Sequence, residues 1–145
     1  MDKVAVLLSA YNGEKFLCEQ IDSIMNQQNL DLYIRDDGSS DRTQEYLKQY
    51  VEQNDSIHLQ NGCNLGVANS FMSLLYNVPN HYDYYAFADQ DDIWEANKVQ
   101  EAIRQLKDTG AALYGSNQEC VDKYGNRLKI RYSEEENIHL TPISI

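Results

Sequence analysis

Three carboxylates stand within Asp89-Gln90-Asp91-Asp92, directly after a run of strand formers, Tyr82-Asp83-Tyr84-Tyr85-Ala86-Phe87. A helical pattern begins near Glu95. Carboxylates this close repel, and a cation relieves them. Hard divalent ions such as Mg²⁺ and Mn²⁺ take oxygen ligands, commonly one or two carboxylates completed by substrate phosphates. The alternative for the same residues is a solvated acidic loop, with Asp92 capping the next helix.

A second acidic cluster, Asp36-Asp37-Gly38-Ser39-Ser40-Asp41, follows the strand pattern Leu32-Tyr33-Ile34-Arg35. Near the start, Lys3 to Leu8 reads as a buried strand that runs into Ser9-Ala10-Tyr11-Asn12-Gly13. Three strands therefore end in polar loops. In open α/β sheets, ligands bind outside the carboxyl ends of the strands. Two acidic loops and one polar loop at such an edge suit a metal-bridged phosphate ligand.

The elements that must position these loops alternate. Phe16, Leu17, Ile21, Ile24 and Met25 recur at helical spacing, predicting a helix over 14–27. A second helix is expected over 43–53, with Tyr46, Leu47, Tyr50 and Val51 on its apolar face. Asp41 and Gln44 resemble a capping box before it. A strand over 57–60, a helix over 68–76 and a strand over 84–88 follow, then a helix over 96–108 carrying Val99, Ala102, Ile103 and Leu106. A fifth strand over 111–120 and a short one over 128–132 complete the pattern. Alternation of this kind implies a mostly parallel sheet with helices on both faces. The reading is one domain over 1–132 and an exposed or poorly ordered tail over 133–145, which holds Glu134-Glu135-Glu136 as a solvated cluster.

In order and spacing, five features resemble the nucleotide-sugar half of an inverting family 2 glycosyltransferase with the GT-A (Rossmann-like) fold. They are Val4 to Gly13, Ile34 to Thr43, Asn64-Leu65-Gly66-Val67, Phe87 to Trp94 with Asn97-Lys98, and the spacing between them. The form Asp89-Gln90-Asp91-Asp92-Ile93-Trp94 is most similar to the rhamnosyltransferase-like branch. The resemblance implies a nucleoside-diphosphate sugar donor, dTDP-rhamnose or a UDP-sugar, and a saccharide or lipid-linked saccharide acceptor in cell-surface polysaccharide synthesis. It implies Mn²⁺ or Mg²⁺ as cofactor, with Asp91 the direct ligand and Asp89 beside it at the ribose or the metal. Ser9 and Tyr11 would line the base pocket. Asp37 would accept a hydrogen bond from the N3 imide of uracil or thymine, and Asp36 would be a second contact or a brace. Asn64, Gly66 and Asn69 fall near the nucleotide, and Trp94 shapes the sugar pocket or belongs to the core.

In the family, the general base that deprotonates the acceptor comes from a later segment. The fold is therefore expected to stop after the metal-binding half, with the base beyond the C-terminus and little transfer by this chain alone. Two other readings stay open. One is a sugar-nucleotide-binding module that needs a partner or a further segment. The other, more remote, is a receiver-like Mg²⁺-binding signalling domain, which wants its acidic pair after the first strand rather than the second.

Composition narrows the field further. The chain has 145 residues, 12 Lys plus Arg against 23 Asp plus Glu, and a net charge of -11. That balance argues against sequence-independent nucleic-acid binding, which depends on Lys and Arg against phosphate, and against docking on anionic lipid. No apolar run approaches the ~20 residues of a bilayer span, and Val4 to Leu8 is too short for a signal peptide. The expected location is the cytoplasm, at the inner face of the membrane through partners. Cys18, Cys63 and Cys120 form no CxxC pair. The stretch from Asp89 to Gln100 has no glycine at its sixth position and no glutamate at its twelfth, so it is not an EF-hand loop. Neither GxGxxG nor GxxxxGK[ST] occurs.

Overall fold

The computed structural model describes residues 2–122 and 128. Elements follow the order β1 (Val4–Ala10), α1 (Leu17–Met25), β2 (Leu30–Asp36), α2 (Thr43–Gln53), β3 (Ile57–Asn61), α3 (Val67–Asn77), β4 (Tyr84–Ala88) and α4 (Lys98–Thr109). The four strands form one sheet in the order β3-β2-β1-β4. Every pairing is parallel, with Leu8 beside both Ile34 and Ala88.

The central strand explains this arrangement. Val4 to Leu8 is an unbroken apolar run, as expected of a strand covered on both faces. Val4, Val6, Leu8 and Ala10 join a core with Leu17, Ile21 and Ile24 of α1, Leu47 of α2 and Val99 of α4. Strand side chains alternate between faces, so Ala5, Leu7 and Ser9 point the other way. There the Ser9 hydroxyl meets Ser70 of α3 at 2.6 Å. Ala5 and Leu7 are wholly buried.

Parallel strands place all their carboxyl ends at one edge. The chain runs from β1 out to β3, then returns through α3 to β4 on the other side of β1. The order reverses between β1 and β4, and in α/β sheets that switch point is where a crevice opens.

The described residues divide into two compact units, one up to Ala112 and one from Leu113 onward. The expected strand over 111–120 is absent: the segment is irregular, Val121 makes an isolated bridge, and Leu128 N–H donates to Cys120 O at 2.8 Å. Strand-forming residues need a neighbouring ladder to pair with, and Gly115-Ser116-Asn117 interrupts the run. The turn at 124–126, residues 129–132 of the last expected strand, and the tail with Glu134 to Glu136 lie outside the described residues. No described helix is long and apolar enough to cross a membrane.

The core makes a direct prediction. Leu8→Ala removes a fully buried side chain from the central strand and should cost ~2–5 kcal/mol. Tyr76→Ala, at a position 81% exposed, should change stability by no more than about 0.5 kcal/mol. Urea unfolding of both variants checks the contrast.

Candidate functional site

At the sheet edge where β1, β2 and β4 end, an open cleft of about 270 Å³ is lined by Ser9, Tyr11, Asp37, Asn64, Gly66, Val67, Asp89, Gln90 and Asp91. Residues from four loops, far apart in sequence, meet there.

The loop after β2 is built on buried carboxylates. Asp36 is wholly buried and accepts from the Ser39 N–H and hydroxyl and from Gln44 Nε2 at 2.8 Å. Of its two expected roles, Asp36 takes that of a brace and does not line the cleft. Asp37, 2% exposed, pairs with the Arg35 guanidinium and accepts the N–H groups of Leu65 and Gly66, each at 2.9 Å. Burial acts to raise the Asp37 carboxyl, but these hydrogen bonds and the Arg35 charge hold it below its ordinary value. Arg35 also donates to Cys63 O at 3.0 Å and contacts Ser70 Oγ at 3.4 Å. One buried cation thus ties β2, the loop over 62–66 and α3. Gly66, with φ of 80°, has the left-handed backbone that glycine adopts without cost, and it brings its N–H onto Asp37 as α3 begins. Asn69 donates to Leu65 O at 3.0 Å; it steadies the start of α3 and does not line the cleft.

The expected capping box does not form. Asp41 accepts the Thr43 N–H at 3.0 Å, as a cap would, but Gln44 is drawn to Asp36 instead. Asp41 also receives Glu14 N–H at 3.2 Å, while Glu14 accepts Arg42 N–H at 3.1 Å. Ser39 receives Asn12 N–H, Thr43 receives Gly13 N–H, and Asn12 receives Ser40 N–H. The first two loops are stapled together by these reciprocal contacts.

Asp89 and Asp91 are exposed at the cleft, and Asp92 is half-buried. Burial, then the charges of Asp89 and Asp91, push the Asp92 carboxyl upward against the opposing pull of Lys98. Asp92 does not cap α4, which begins at Lys98 behind Asn97. Trp94 belongs to the core at 8% exposure. Its N–H donates to Ser23 at 3.0 Å, and Gln27 takes Val99 N–H and donates to Glu95 O. Ser23 of α1 and Gln27, just past its end, thus anchor the acidic loop from behind. The sequence signal for Ser23 is a polar side chain on the buried stripe of an amphipathic helix.

Among the described residues, no group of three or more His, Cys, Asp or Glu converges as a self-sufficient metal site. Two exposed carboxylates at a cleft are nonetheless the protein share that Mg²⁺ or Mn²⁺ takes when phosphates supply the remaining ligands. Asp89 and Asp91 fit that chemistry.

A family profile described as Glycosyl transferase family 2 matches residues 5–143. The chain belongs to that family. It is 35% identical over 116 residues to a dTDP-rhamnosyl transferase, RfbG, of Shigella flexneri, covering 76% of this chain and 40% of that protein. Among solved structures, S. aureus TarS in complex with UDP-GlcNAc superposes with a TM-score of 0.66 at 19% identity, over 81% of this chain and 37% of that one. A mannosyltransferase of Pyrobaculum calidifontis in complex with GDP-Man and Mn²⁺ gives 0.64 at 21% identity, over 74% and 33%. The fold of this family 2 chain is therefore GT-A. The chain spans less than half the length of the curated relatives it first matches.

The Arg35–Asp37 pair yields a prediction. Arg35→Met leaves a buried carboxylate without its cation and should cost ~3–5 kcal/mol. Because the folded Asp37 carboxyl is held low, its stabilisation is complete above its ordinary value and is lost as pH falls through the lower folded one. From about pH 5 to about pH 2, unsubstituted protein should lose more stability than Asp37→Asn. Urea midpoints that fall equally in both would remove Asp37 from this role.

Proposed function

We propose that this chain forms the donor-binding part of an inverting glycosyltransferase that takes a dTDP- or UDP-linked sugar with Mn²⁺ or Mg²⁺. Transfer is to a saccharide or lipid-linked saccharide in cell-surface polysaccharide synthesis, on the cytoplasmic side. The observation that carries this reading is the meeting of Ser9, Tyr11 and Asp37 with Asp89 and Asp91 in one cleft at the β1/β4 switch point.

The roles divide along the cleft. Tyr11, 46% exposed, offers its ring to the base while its backbone is held. Asp37 uses three N–H donors but has about four lone-pair directions, so acceptor capacity remains for a ligand donor. The N3 imide of uracil or thymine is such a donor, and cytosine and adenine lack it. Ser9 lines the base pocket with Tyr11, and Asp89 lies at the ribose or the metal, with Asp36 and Asn69 acting from behind the cleft. Asp91 and Asp89 would hold the cation, which supplies positive charge where the leaving diphosphate gathers negative charge. Between the two bases, the likeness to a dTDP-rhamnosyl transferase favours dTDP.

Calorimetric titration with UDP, dTDP, GDP and CDP, each with and without Mn²⁺, tests the proposal. UDP and dTDP should bind roughly 10- to 100-fold more tightly than GDP or CDP, the range set by one hydrogen bond to a charged group. Asp91→Asn should abolish the Mn²⁺-dependent part of the affinity. Equal binding of all four nucleotides, or an undiminished metal effect in Asp91→Asn, would contradict it.

A further inference from the structure

Gln90 stands between two carboxylates, but its side chain turns away from them. Its Oε1 accepts the Tyr11 N–H at 2.8 Å, and its Nε2 donates to Tyr11 O at 3.1 Å. A primary amide that meets both backbone groups of one residue imitates a step of a β-ladder. Gly13 packs against the same amide: a Cβ placed there would lie 2.5 Å from Gln90 Oε1 and 3.0 Å from its Cδ. The Tyr11 loop is already stapled to the loop after β2 through Asn12 and Gly13. Gln90 adds the acidic loop to that assembly.

We propose that Gln90 is a positioning residue whose amide clasps the Tyr11 backbone and fixes the separation between the base side and the metal side of the cleft. This rests on the donor-binding reading above. The chemistry is specific to an amide at this length. Glutamate would keep the acceptor for Tyr11 N–H but set a negative charge against Tyr11 O. Asparagine is one methylene short. A neutral residue of glutamine's reach is therefore what this position needs, and it also keeps a third negative charge from between Asp89 and Asp91. Held in this way, the tyrosine ring and the two carboxylates keep one spacing, so base and metal-bound diphosphate can be engaged together. Ordering the site before the ligand arrives spares the ligand that cost.

Two variants reach the clasp from opposite sides. Gln90→Met keeps the length without the amide. Gly13→Ala pushes the amide away and leaves the sequence of the acidic loop unaltered; the atom it displaces ends a flexible side chain, so the fold can accommodate it. Hydrogen exchange at the Tyr11 amide reads the clasp directly. It should quicken at least about tenfold in both variants, while Val6 and Leu8 exchange as before and the ligand-free melting temperature holds. The gain in UDP affinity conferred by Mn²⁺ should fall about five- to tenfold in each. The double variant should be no worse than either single one, since both break one contact. Unchanged Tyr11 exchange, or losses in metal-dependent affinity that add in the double variant, would overturn the proposal. An unsubstituted chain that binds neither UDP nor dTDP would overturn the donor-binding reading itself, and Tyr11 exchange would then judge the clasp alone.

Discussion

Asp37, the first residue after β2, is almost out of contact with water, and the shape of the cleft follows from how its charge is met. A buried carboxylate is costly unless it is paired and hydrogen-bonded. Arg35, two residues earlier, supplies the pairing from the same strand, and Leu65 and Gly66 supply two backbone donors. Those donors can reach it only if the chain over 62–66 turns back across the end of β2. That turn delivers Gly66 and Val67 to the cleft wall and starts α3. Arg35 itself touches Ser70, which in turn receives Ser9 from the end of β1. The ends of β1 and β2 and the start of α3 are thereby fixed around one ion pair.

The other half of the cleft is held from outside the sheet. The acidic loop after β4 carries charges that resist being brought together: burial first, and then the charges of Asp89 and Asp91, push the Asp92 carboxyl upward. Ser23 and Gln27 hold its far end through Trp94, Glu95 and Val99, and Gln90 holds its near end through Tyr11. The exposed carboxylates of Asp89 and Asp91 stay at the surface on either side of the Gln90 anchor. An arrangement that concentrates negative charge on a rigid frame is suited to a cation shared with a phosphate ligand.

Much of the fold was legible in the residue pattern. The bounds of α2 and β4 coincide with those expected, because Tyr46, Leu47, Tyr50 and Val51 keep a clear helical period and Tyr84 to Ala88 is a compact run of strand formers. Helix α1 starts at Leu17 rather than Glu14, because Glu14 is claimed by Asp41 and Arg42 in the neighbouring loop. The strand expected over 111–120 failed for want of a ladder, which no local propensity encodes. The loops that carry Ser9, Tyr11, Asp37, Asp89 and Asp91 could be placed at strand ends from the residue pattern, and the family resemblance singled out these residues within them. The roles of Arg35, Ser70, Ser23, Gln27 and Gln90 could not be read in this way. Each engages a partner distant along the chain, and side-chain contacts of that kind leave no periodic trace. Asp36 and Asn69 have types that suit a ligand, and their side chains bond to Gln44 and to Leu65 O rather than lining the cleft.

The central claim is that Asp89 and Asp91 hold a divalent cation beside a nucleotide lying across the ends of β1, β2 and β4. Paramagnetic broadening of backbone amide signals by substoichiometric Mn²⁺, recorded with UDP or dTDP present, locates the cation directly. The account predicts loss of signal centred on residues 89–92 and extending to 9–13 and 64–67. Broadening centred instead on the exposed acids of α4, such as Glu101 and Asp108, with the cleft amides unaffected, would contradict it.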